Sequence, residues 1–174
     1  MKNWGETFHI EFFIDFHEMD FSGWVNIMHF TTGLTNIFNT PHLYNLLSLG
    51  ENTGDGARLP SIWANNKKLH IYTEYNGDNN FAISSDNEIK DHWERIVVSQ
   101  QWVDGKLMLK FLHDGDVVFN GENKSGKNRE NVQVYLSDPW YTSIVDHAWM
   151  YHLKISDRAP PSGNIPYSKL RYFI

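Results

Sequence analysis

At 174 residues the chain is long enough for one domain and too short for two of ordinary size. Its 15 Lys and Arg against 21 Asp and Glu leave a net charge of −6. The densest cationic stretch, Lys124, Lys127 and Arg129, reads as a solvated loop and not as a stripe for a nucleic-acid partner. The absence of cysteine excludes disulfides, thiolate metal sites and a Cys nucleophile.

Aromatic residues make up 15% of the chain. Such rings suit pleated sheet surfaces and dominate binding energetics, so they point to a β fold and leave room for a ligand surface. No run approaches the roughly 18 apolar residues of a membrane span. The amino end carries no signal-peptide pattern; a mature secreted chain with its signal removed has the same appearance.

Taken in order, the first strand pattern covers residues 7–17, where Phe8, Ile10, Phe12, Ile14 and Phe16 alternate with polar neighbours. Phe13 breaks the alternation and predicts partial cover on the other face. Strand patterns follow at 24–32, 59–64 and 68–75, the last two joined by a turn at Asn65-Asn66. Residues 33–58 form a long connection with a helical turn or two at 42–49. Asn76-Gly77, Asp104-Gly105 and Asp114-Gly115 predict tight turns linking strands at 80–84, 94–102, 106–113 and 116–120. Strands at 131–136 and 147–155 complete about ten. The proline-rich segment 157–174 reads as an extended tail after a sandwich over 1–156.

Three segments resemble concanavalin A-like domains of the laminin-G-like branch. They are Trp24-Val25-Asn26-Ile27-Met28-His29-Phe30, Arg58-Leu59-Pro60-Ser61-Ile62-Trp63, and the back half from Trp93 through Val134-Tyr135-Leu136-Ser137-Asp138-Pro139-Trp140-Tyr141. The resemblance covers about residues 5 to 156. It implies an all-β jelly-roll sandwich of two antiparallel sheets that is extracellular and binds glycans, protein partners or matrix. The chain departs from the pattern in lacking a cysteine pair and in its 33–58 connection.

Calcium wants six to eight oxygen ligands. Asp55 and Asp138, with Asp20, Asn36 and Asp146, are the donors available, without a diagnostic loop; the alternative is that Asp138 caps a turn and Asp55 is solvated. Asp138, Trp140 and Tyr141 with Asn36 or Asn39 would form a sugar site, the ring stacking on a pyranose while Asp and Asn read hydroxyls. Trp140 as a plug at the sandwich end is the rival. Arg58, beside Trp63, either recognises a ligand or pairs with Glu11, Asp15 or Asp138.

A carrier of a hydrophobic small molecule is the alternative function: Trp24, Phe30, Trp63, Phe81, Trp93, Trp102, Phe111 and Trp149 would line its site, possibly at a homo-oligomer interface, with His29 and His152 reaching a ligand oxygen. Dense core packing explains the same rings. A structural matrix protein is a further alternative. Asn123-Lys124-Ser125 is a glycosylation sequon compatible with a turn. Catalysis is not expected: Glu11 and Asp15 share a strand face about 13 Å apart, too far for a retaining carboxylate pair. The function expected is therefore a non-enzymatic binding protein, lectin-like or adhesive.

Overall fold

The computed structural model describes residues 3–17, 21–32, 58–137 and 148–157. Within them lie twelve strands and no helix: β1 Asn3–Trp4, β2 Phe8–Phe16, β3 Val25–Thr31, β4 Ser61–Asn65, β5 Lys68–Tyr75, β6 Asp78–Glu88, β7 Glu94–Val103, β8 Lys106–His113, β9 Asp116–Glu122, β10 Arg129–Glu130, β11 Gln133–Leu136 and β12 Ala148–Ser156. Two five-stranded antiparallel sheets result, ordered β11-β3-β4-β5-β6 and β12-β2-β7-β8-β9. The short pair β1–β10 is additional, and nothing in its two-residue strands announces it. The all-β sandwich is therefore as expected.

Period-2 alternation builds the core. Ile10, Phe12 and Ile14 of β2 and Ile96 and Val98 of β7 meet Phe30, Ile62, Leu69 and Ile71 from the other sheet, all fully buried. Truncating a ring such as Phe12 to Ala in a core of this kind costs about 3–5 kcal/mol. In β3 a bulge between Asn26 and Met28 turns Ile27 and Met28 both inward, which leaves Asn26 and His29 on the outer face.

The predicted turns at Asn76-Gly77, Asp104-Gly105 and Asp114-Gly115 all have positive φ at both residues, the mirror-image geometry that matches strand twist. The β4–β5 turn falls one residue later than expected, at Asn66-Lys67 (φ 48° and 58°), because Asn65 pairs with Lys68 as the last rung. Backbone bonds from Asn66 N to Phe21 O and from Ile89 N to Lys67 O hold both turn residues.

Asn123 belongs to the interior. At 3% exposure, its Nδ2 donates to Gln100 Oε1 and Glu74 O, while its Oδ1 accepts from Asn76 N and Ser125 N. A sugar on Nδ2 would displace these contacts, so the folded chain does not present this sequon. The segments 33–57 and 158–174, with the helical turns expected at 42–49, lie outside the described residues.

Candidate ligand-binding site

Alternation that sends Ile62, Ala64, Leu69 and Ile71 inward sends Ser61, Trp63, His70 and Tyr72 to the outer face of the first sheet. Register places them side by side, Trp63 opposite His70 and Ser61 opposite Tyr72. Trp24, immediately before β3, meets this row: its ring centroid lies 4.8 Å from His70, 5.9 Å from Tyr72 and 6.3 Å from Trp63. Arg58 enters from the segment before β4. Its guanidinium carbon sits 4.4 Å from the Tyr72 centroid and 5.8 Å from that of Trp63, and Nη1 donates to Asn80 Oδ1 at 2.7 Å. Trp24, Arg58, Trp63, Tyr72 and Asn80 line a cleft of about 290 Å³, near the small end of the range for small-molecule sites.

The parts divide by accessibility. Trp63 is 3% exposed and donates its Nε1 to Ser61 Oγ at 2.9 Å, so it forms a fixed wall. Trp24 is 41% exposed and offers a ring for stacking. His70 is held by Ser84 Oγ on one nitrogen, and burial pushes its pKa below the ordinary 6.5, outweighing the Asn65 carbonyl. It is neutral at pH 7, which leaves Arg58 as the charged group among the described residues that line the cleft. A guanidinium stacked on aromatic faces gains cation–π attraction and keeps a planar fork suited to a carboxylate. Asn26, opposite Trp63, is fully buried with neither amide atom hydrogen-bonded.

Of the residues predicted for ligand contact, Arg58 and Trp63 come together here. His29 is completely buried, its ring 6.3 Å from Trp63, so it backs the wall instead of facing the cleft. Asp138, Trp140, Tyr141, Asn36 and Asp55 lie outside the described residues. Among the described residues no three His, Asp or Glu side chains group as a metal site. Of the carboxylates expected for Arg58, Glu11 and Asp15 lie on the outer face of the second sheet, with Glu11 bound by Arg95 at 2.8 Å and Lys154 at 3.4 Å, while Asp138 lies outside the described residues. Trp24, Tyr72 and Asn80 were missed as a set. The signal available was the parity of β5, which puts Tyr72 on the Trp63 side.

The eight rings proposed for a hydrophobic carrier do not converge. Phe30 and Phe111 are fully buried in the core, while Trp24, Trp93, Trp102 and Trp149 are exposed by 41–65%. An unexpected cluster does carry catalytic residue types. Ser85 Oγ is 2.8 Å from His113 Nδ1, and His113 Nε2 is 3.2 Å from Glu94 Oε1 without hydrogen-bond alignment. All three residues are at most 1% exposed. Ser85 Oγ also accepts from Asn87 N, so the cluster is a buried brace between β6, β7 and β8 and gives no substrate access.

Among the described residues, the outer face of the first sheet thus carries an aromatic cleft with the Arg58 guanidinium stacked across it. No family model and no curated protein matches the chain, and the laminin-G-like resemblance stays at the level of fold. Solved structures do match. The botulinum neurotoxin serotype G binding domain superposes with a TM-score of 0.56 at 9% identity, over 90% of this chain and 34% of that one. The serotype D ligand binding domain in complex with N-acetylneuraminic acid gives 0.54 at 9%, over 91% and 34%. The receptor binding domain of the C/D mosaic gives 0.52 at 10%, over 90% and 33%. The chain thus spans about a third of the length of these neighbours, and at such identity the likeness establishes the fold alone.

Proposed function

We propose that the chain is a non-enzymatic, extracellular glycan-binding module whose cleft at Trp24, Arg58, Trp63, Tyr72 and Asn80 takes an acidic sugar. The observation that carries this reading is Arg58, laid on Tyr72 and Trp63 and tied to Asn80 beside the exposed ring of Trp24. The cation meets a sugar carboxylate, Asn80 reads a hydroxyl, and Trp24 stacks on the apolar face of the ring. One structural neighbour holding N-acetylneuraminic acid supports the ligand class, although that ligand belongs to a domain three times as long. Asp138, Trp140, Tyr141 and Asn36 are proposed as a further contact for the same glycan, with calcium at Asp55 and Asp138 tested by chelation. The experiment is calorimetric titration with a lactose-based trisaccharide ending in N-acetylneuraminic acid, against lactose. Binding of the first and not the second, lost in Arg58→Ala, is expected; equal binding of both sinks the acidic-sugar assignment.

A further inference from the structure

The outer face of the second sheet carries a strip of exposed rings that the cleft does not involve. Trp149 and Tyr151 alternate with Met150 on β12 and share a face with Phe13 and Asp15 of β2, opposite which they pair. Tyr151 stacks on Phe13 at 4.8 Å, Trp93 stands edge-on to Tyr151 at 4.6 Å, and Trp149 meets the His17 ring at 6.2 Å. Trp93, Trp149 and Tyr151 are 42%, 65% and 44% exposed.

We propose that this strip is a second binding site, for an extended, uncharged oligosaccharide. Three observations select that occupant. The first is size: at about 150–250 Å² per ring, the exposed fractions offer roughly 300 Å² of aromatic surface. That is well below the roughly 800 Å² per partner of a stable protein interface, and ample for sugar rings. The second is the polar company of the rings. Asp15, paired with Trp149, is 8% exposed, and its Oδ1 has no hydrogen-bond partner, while Oδ2 is 3.5 Å from His17 Nε2. A buried acceptor without a donor costs about 1–3 kcal/mol, and a hydroxyl from a pyranose stacked on Trp149, admitted as the exposed His17 swings aside, would relieve it. His152, in the β-bulge of β12 with φ 58°, has a buried Nε2 likewise unpartnered. The third is charge. Glu11 is already matched by Arg95 and Lys154, and the unmet Asp15 oxygen is an acceptor that disfavours an anion, while His152 Nε2 can give or take a hydrogen bond, as a sugar hydroxyl can. Trp149 and Tyr151 stand two residues apart on one strand, about 7 Å by strand rise, and Trp93 reaches Tyr151 edge-on from across β2. That spacing suits neighbouring units of a sugar chain.

The proposal borrows from the cleft reading only the ligand class, carbohydrate. The test is intrinsic fluorescence titration of the full chain with cellohexaose, xylohexaose and chitohexaose, on the parent, Trp149→Ala, Tyr151→Ala and Arg58→Ala. At least one hexaose should quench the parent, both strip variants should bind it about tenfold more weakly, and Arg58→Ala should bind it unchanged. Near-UV circular dichroism checks that the exposed substitutions leave the fold intact. Failure of all three hexaoses to bind overturns the proposal, as does Trp149→Ala binding like the parent. A parent dimer in sedimentation that Trp149→Ala dissolves would overturn it too, assigning the face to a second copy. Loss of acidic-sugar binding in Arg58→Ala with hexaose binding intact separates the fate of the cleft from that of the strip.

Discussion

The guanidinium of Arg58 lies across the ring of Tyr72, 4.4 Å from its centroid, and is turned by the Asn80 amide at 2.7 Å. Both contacts hold the cation in place before any ligand arrives, so less side-chain freedom is lost on binding. The aromatic face, and not the Tyr72 hydroxyl, does this.

Tyr72→Leu should therefore weaken acidic-sugar binding by about tenfold, the scale of a partly desolvated cation–π contact. Tyr72→Phe should bind as the parent does. Calorimetric titration of the two variants side by side decides the matter.

Stability should fall with acid in two windows. Burial lowers the pKa of His9 below the ordinary 6.5, outweighing the pull of Glu11, and burial likewise lowers His70. The unfolded chain then takes up protons first, so stability declines as pH drops below 6.5. For Glu11, burial opposes ionisation, but hydrogen bonds from Arg95 and His9 prevail and hold the carboxyl below its ordinary 4.5. Its contribution is present above 4.5 and is lost as pH falls through the folded value. Melting temperature against pH should show both declines, and Glu11→Gln should flatten the lower one.

Asn123→Ala should destabilise the fold by about 1–3 kcal/mol, since it leaves the buried Gln100 Oε1 without its donor and releases the Asn76 turn. Urea denaturation measures it. Protein folded from a glycosylating host should carry no sugar at Asn123, which intact mass reports.

Glu94→Ala should cost about 1–3 kcal/mol, because it removes the acceptor for Lys90 N and leaves the buried His113 ring facing an empty space. Ser85 should stay unlabelled by a fluorophosphonate probe, since its hydroxyl is enclosed. Labelling at Ser85 would reopen the question of catalysis.

The sandwich was legible because its signals are local: alternation in β2 and β8 and the Asn-Gly and Asp-Gly turns each state their own geometry. The cleft was half legible. Arg58 and Trp63 stand in one motif, but Tyr72 and Asn80 reach it only through the register of β4, β5 and β6, which no local pattern specifies. Trp93 and Trp149 look like core residues by composition. Only the pairing of Trp149 with Asp15 reveals that it faces outward. The Ser85–His113–Glu94 brace escaped notice because its members come from three strands.

The most direct test of glycan binding at the cleft is ¹H–¹⁵N chemical-shift mapping with the N-acetylneuraminic acid trisaccharide. Binding in the cleft predicts shifts of the Trp24 indole and the Arg58 Nε–H, with the indole of Trp102, on the second sheet and bonded to Glu6, unmoved. Shifts absent from Trp24 and Arg58 at saturating sugar would contradict it.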